Sequence, residues 1–335
     1  MVGAEPGVHQ VIKSFHVIYE HLEFFRSPAH GYIRSMAQIE LTSGPRFTLT
    51  PATATLMVLA ASIGFGLVPL FAKLLLEMGL PPAAIALFRF TFSALVMLPF
   101  LPLARHKRRE TLLMTGAGVG MGLSWVGYLG ALDTVPVAVA GLVYMTYPTF
   151  ALLLAWLLVG QRPGMRAWGG CALVLVAAAL LFNGGFGAGV SWSLLMVLPA
   201  PVLFALIIVV LTCMTPSLRP FEKMASGMVG SVIGLAPVVA LTDPAAFVPR
   251  DPDVILTIVA MAAATALIPQ MVYSIAAPLV GAGRSAAAGT VELPTMIALG
   301  WLAFGEVVGV REIAASALVM AAILLVPSVA PTRRD

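Results

Sequence analysis

The sequence predicts an all-α integral membrane protein, with ten transmembrane helices arranged as two inverted five-helix repeats. Three observations carry this. Of 335 residues, 60% are hydrophobic and only 10% charged, and the mean hydropathy is +0.99. The apolar residues fall into ten runs, each close to the ~20 residues a helix needs to cross a hydrocarbon core of about 30 Å. The chain also matches itself at a shift of 145 positions. An ordinary soluble domain carries about 25% charged residues, so the composition excludes a soluble enzyme, a disordered chain and a nucleic-acid reader.

Residues 1–52 form a polar tail that lacks the charged-then-apolar layout of a signal peptide. Within it Val8, Val11, Ile12, Phe15, Ile18, Tyr19 and Leu22 recur at helical spacing, with Lys13, Glu20 and Glu23 mostly opposite. That pattern predicts an amphipathic helix able to lie on a membrane surface. A second reading is that translation starts at Met36.

The predicted spans are 53–75, 81–103, 111–132, 136–159, 165–183, 191–213, 223–242, 253–277, 284–305 and 311–329. Helix-stopping or charged residues separate them: Pro81-Pro82, Arg105–Arg109, Asp133–Pro136, Gln161–Gly164, Asn183–Gly189, Thr215–Pro220, Thr242–Asp253 and Glu306–Gly309. Spans eight and nine are parted only by Gly281, Gly283 and Arg284. Residues 331–335 close the chain as a short tail. With the N-terminus inside, 15 of the 19 Lys/Arg fall on the inner side, Lys73, Arg250 and Arg311 fall outside, and Arg89 lies within a span. This bias predicts that both termini are cytoplasmic.

The shift of 145 brings Trp156 onto Trp301, Gly160 onto Gly305, Gly164 onto Gly309, Arg166 onto Arg311 and Tyr128 onto Tyr273. It also superposes Ala172-Leu173-Val174 on Ala317-Leu318-Val319. Aliphatic coincidences weigh little in so apolar a chain; Trp, Tyr, Arg and paired Gly at one offset weigh more. The unit is 53–185, repeated as 186–330. Each copy holds five spans, an odd number, so the copies enter the membrane with opposite topology. That arrangement belongs to secondary transporters whose substrate site lies near the midplane between the halves.

Catalytic and cofactor chemistry finds little support. Cys171 and Cys213 both lie in apolar runs, so no disulfide framework is implied. Four histidines lie in the tail and His106 in a basic loop, and the aspartates lie in loops, at span ends or in the tail. Neither a metal site, nor a rhomboid-type hydrolase, nor an intramembrane aspartyl pair is expected. Gly116, Gly118, Gly120 and Gly122 lack the spacing of a phosphate loop; as i, i+4 pairs they let helices approach closely. No Walker motif, no cofactor and no metal are predicted.

Ionisable residues within a span are costly, so each is a functional candidate. Glu292 lies about eight residues into span nine, two before Pro294, which frees a backbone carbonyl one turn earlier. A carboxylate there could bind a proton or a cationic substrate; its counterpart two before Pro148 is Thr146. Arg89 lies about nine residues into span two and either anchors that helix or faces an anionic substrate. Trp125, Tyr128, Tyr144, Tyr147, Gln270 and Tyr273 are candidates to line a central cavity, and their mixed polarity suits a small-molecule metabolite.

In these motifs the chain resembles the EamA-type branch of the drug/metabolite transporter superfamily. The first half carries Phe71-Ala72-Lys73, Pro81, Leu87-Phe88-Arg89-Phe90, Tyr128-Leu129-Gly130-Ala131-Leu132, Tyr147-Pro148 and Ala155-Trp156-Leu157-Leu158-Val159-Gly160. The second half closes with Leu293-Pro294 and Gly300-Trp301-Leu302-Ala303-Phe304-Gly305-Glu306. Gln161 stands where the family usually has Glu, and Pro148 to Gln161 is one residue longer than Pro294 to Glu306. The resemblance covers roughly 53–329 and marks Arg89 as a family position. It implies a bacterial-type inner-membrane secondary transporter that exports small metabolites, amino acids or drug-like solutes by alternating access, with protons as a possible coupling partner. Two other classes fit an apolar helical chain. A membrane-embedded lipid-modifying enzyme is disfavoured by the lack of intramembrane His and Asp, and a non-transporting sensory or assembly partner is hinted at only by the tail.

Overall fold

Prolines decide where the spans begin, bend and break. A computed structural model describes residues 50–132, 137–181, 195–241, 249, 251–304 and 309–325. The tail helix and the alternative start lie outside them.

The first span is two helices, α1 (Pro51–Gly66) and α2 (Val68–Glu77). Thr50 caps α1, its Oγ1 accepting from the Thr53 N–H at 3.2 Å. The break at Leu67 precedes Pro69, which has no N–H to give the carbonyl one turn earlier. α3 (Pro82–Met97) starts on its own proline, and α4 (Arg108–Ala131) runs 24 residues, about 36 Å at 1.5 Å per residue. Span four is α5 (Val137–Tyr144) and α6 (Tyr147–Val159), parted at Met145-Thr146 just before Pro148. Gly160, at φ +74°, ends α6 by turning its N–H back to the Trp156 carbonyl at 2.9 Å. α7 (Met165–Leu181) follows.

In the second half α8 (Pro199–Val209) loosens into a π-turn at Val210–Met214, and α9 (Pro220–Ala240) follows. α10 (Pro252–Ala262) passes through another π-turn, Ala263–Leu267, into α11 (Ile268–Val280). Gly281, at φ +84°, then separates spans eight and nine where the sequence offered least. α12 (Ala282–Gly289) and α13 (Glu292–Phe304) are parted at Thr290-Val291, just before Pro294, and α14 (Val310–Leu325) is last. Spans one, four and nine are thus each two helices rather than the single run the hydropathy predicts. The breaks at Met145-Thr146 and Thr290-Val291 stand 145 positions apart, the shift at which the chain matches itself.

The result is an all-α, multi-helix membrane fold. Among the described residues six helical stretches are long and apolar enough to cross a bilayer: Pro51–Glu77, Pro82–Phe100, Arg105–Ala131, Leu195–Met214, Pro252–Val280 and Ala282–Ala303. Their outer faces expose Leu56, Ile63, Leu112 and Leu302, a surface suited to lipid tails.

The most extensive packing joins α4 to α9, and glycine makes it possible. A Cβ on Gly118 or Gly122 would fall onto the carbonyl oxygens of Gly227 and Ser231, and one on Gly230 or Gly234 onto those of Thr115 and Val119. The Ser231 hydroxyl donates to the Gly118 carbonyl at 3.1 Å. The other expected pair behaves differently. Gly116 faces open space and Gly120 meets only the Leu203 side chain, so that stripe does not bring two backbones together.

At one end of this pair charges tie the helices. Lys107 Nζ donates to both carboxylate oxygens of Glu222, at 2.7 and 2.8 Å. Glu110 accepts from the Ser217 N–H at 2.9 Å, and Lys223 Nζ donates to the Leu211 carbonyl at 2.7 Å. Elsewhere, α12 lies against α1 and α6; Arg284 Nε donates to Thr55 Oγ1 at 3.1 Å and the Ser285 hydroxyl to the Ala277 carbonyl at 3.1 Å.

Candidate functional site

A buried cavity lies where α1, α3, α4, α5, α8, α9, α11 and α13 converge. The enclosed space is about 30 Å³, room for one or two waters. Of the nine sequence candidates, Arg89, Trp125, Tyr128, Tyr144, Gln270 and Glu292 line it.

Arg89 is held on two sides. Pro269, at the start of α11, has no N–H for the Thr265 carbonyl one turn back, and the π-turn around Thr265 loosens the ladder there. Arg89 Nη2 donates to that carbonyl at 2.9 Å and Nε to Thr265 Oγ1 at 3.1 Å. The guanidinium also lies 4.3 Å from the centre of the Trp125 ring, a cation–π contact. Nη1 is left buried without a partner.

Glu292 is the first residue of α13, so its carboxylate lies at a helix N-terminus, where negative charge is favoured. It is 1% exposed, and its Oε1 has no hydrogen-bond partner. Arg89 and Glu292 line the same cavity but form no ion pair within 4.0 Å.

Aromatic rings form one continuous wall. Trp125 and Tyr128, three apart on α4, have ring centres 5.1 Å apart; Tyr128 and Tyr144 are separated by 5.5 Å, and Tyr144 stacks on Phe204 of α8 at 5.4 Å. Tyr147 meets Phe204 edge-on at 4.8 Å, and its hydroxyl occupies the space a side chain on Gly289 would fill. Tyr273 packs on Phe65 at 5.9 Å. Tyr147 and Tyr273 therefore lie beside the cavity wall rather than on its lining. Thr146 is elsewhere engaged, its hydroxyl donating to the Val143 carbonyl at 2.7 Å at the break. Under the 145 shift the partner of Glu292 is Tyr147, not Thr146.

Sequence reasoning missed Thr265, Phe65, Phe90, Phe204 and the methionines Met114, Met121, Met224, Met228 and Met296 that complete the lining or its support. Only Thr265 had a legible signal: it is four residues before a proline in an apolar run. Among the described residues no group of three or more His, Cys, Asp or Glu could hold a metal.

Residues 52–183 match the model of the EamA-like transporter family. A riboflavin transporter from Rhizobium johnstonii is 27% identical over 285 residues, covering 82% of this chain and 89% of that protein. A solved crystal structure superposes on 82% of this chain and 96% of its own, with a TM-score of 0.66 and 19% identity, a likeness of fold. Residues 52–183 are accordingly an EamA-like transporter-family domain within a multi-pass, all-α membrane fold.

Proposed function

We propose that the chain is an alternating-access secondary transporter of ten spans, built from inverted repeats at 53–185 and 186–330, that exports a small metabolite through the Arg89–Glu292 cavity. One observation carries this reading. Two helix breaks, 145 positions apart, both reach the cavity, one through Tyr144 and the other through Glu292. Broken helices at matching places in two halves are the architecture of a midplane site between moving repeats. The Lys/Arg bias supports cytoplasmic termini in a bacterial-type inner membrane. The relative's name makes riboflavin the first solute to test.

Glu292 is the coupling group in this reading. Its unpaired Oε1 takes a proton on one side of the cycle and releases it on the other, while Arg89, Tyr128 and Tyr144 supply its polar surroundings. Proteoliposomes test both parts. Solute flux should appear only in sealed vesicles and respond to an imposed pH gradient, and Glu292→Gln should abolish the response. Unchanged gradient dependence in that variant removes Glu292 from the coupling.

A further inference from the structure

The cavity's unpaired atoms reach further than the transport reading, on which the following rests: they describe the solute. Buried polar groups are nearly always hydrogen-bonded, so a cluster left open around one space defines what would complete it. Arg89 Nη1, Trp125 Nε1, the Tyr128 hydroxyl and Glu292 Oε1 are all without partners, and their residues are at most 4% exposed. Arg and Trp only donate; a carboxylate oxygen accepts. Two bonds to Thr265 fix the guanidinium, so Nη1 is an oriented donor rather than a swinging one. The walls around these atoms are largely aromatic, with Trp125, Tyr128 and Tyr144 set edge-on and tilted to one another, a lining that favours a π-system.

A flat solute needs oxygens for the donors and an N–H for the acceptor. Those two features in one ring make a cyclic amide. An ammonium group would meet Arg89 as well as Glu292 in the same cavity, and it offers no oxygen to the two donors. We propose that the transported solute is a planar nitrogen heterocycle, neutral or anionic, whose ring carbonyl oxygens accept from Arg89 Nη1 and Trp125 Nε1 and whose ring N–H donates to Glu292 Oε1. The present space of about 30 Å³ is smaller than such a ring. Room comes from the methionines that line it, Met114, Met121, Met228 and Met296, whose unbranched thioether chains repack readily.

Equilibrium binding to the purified full chain in detergent tests this with lumichrome and xanthine as flat cyclic amides, tryptamine as an aromatic ammonium, and L-leucine as a non-aromatic solute. The expected result is binding of at least one heterocycle in preference to tryptamine and leucine. Trp125→Phe keeps a ring face but removes the N–H, and Arg89→Lys keeps the charge but removes the fork; each should weaken heterocycle binding at least tenfold. Size-exclusion profiles and melting temperatures check that both variants fold. Failure of both heterocycles to bind, tighter binding of tryptamine or leucine, or full affinity in folded Trp125→Phe overturns the proposal. Sealed-vesicle flux separates the two readings. Heterocycles that bind but never cross defeat transport and leave the solute class standing; leucine flux without heterocycle binding does the reverse.

Discussion

Among the described residues, two sets of opposite charges are built differently. At the end of α4 and α9, Lys107 and Glu222 pair at 2.7 Å with side chains 15% and 18% exposed, and Glu222 also accepts from the Arg219 N–H at 2.7 Å. In the interior, Arg89 and Glu292 share a cavity, form no ion pair within 4.0 Å, and each keeps an unpaired atom. A charge whose bonds are completed by its own protein contributes to the fold. A charge carried into the interior and left partly open contributes little there, and its use lies with whatever enters the cavity.

The sharpest way to break this comparison is Arg89→Met. It leaves the Thr265 carbonyl without a donor, which should cost about 1–3 kcal/mol of stability, read as a modest fall in melting temperature in detergent, while solute binding falls about a hundredfold, roughly 3 kcal/mol. A large drop in melting temperature would make Arg89 a structural charge like Lys107. Next in size, Gly118→Leu drives a side chain into the Gly227 backbone and should cost about 1–3 kcal/mol or more of stability, read by thermal unfolding in detergent. Thr265→Val removes one of Arg89's two anchors and should cost about 1 kcal/mol, read as a loss of solute affinity of several-fold. Smallest of all, Lys107→Ala should cost at most about 1 kcal/mol of stability, with the difference from wild type shrinking as salt is raised.

Much of this was legible in the sequence, for physical reasons that also mark the limit. The spans could be read because burial in lipid demands long apolar runs, and observed helix ends such as Arg108 and Leu181 fall within a few residues of expectation. Arg89 and Glu292 stood out because charge is scarce there. Phe65, Phe90 and Phe204 did not, because a helix apolar on every side gives no period to separate cavity from lipid. Helix breaks were invisible to hydropathy; only the prolines after them, Pro69, Pro148 and Pro294, betray where the ladder fails. Thr146 shows the converse: a polar residue at the right spacing spent its hydroxyl on its own helix.

The short helix α12 has a consequence for how the protein is assembled. Its eight residues, AGRSAAAG, extend about 12 Å, less than half a bilayer core, and they include Arg284. Alone it is too short to cross the bilayer, and α13 completes the stretch Ala282–Ala303. Its arginine donates to Thr55 of α1 and its flank is covered by α6, both in the N-terminal half. Within the span Ala282–Ala303, α12 thus depends on the N-terminal half for the contacts that cover it, and α13 supplies the rest of the membrane-crossing length.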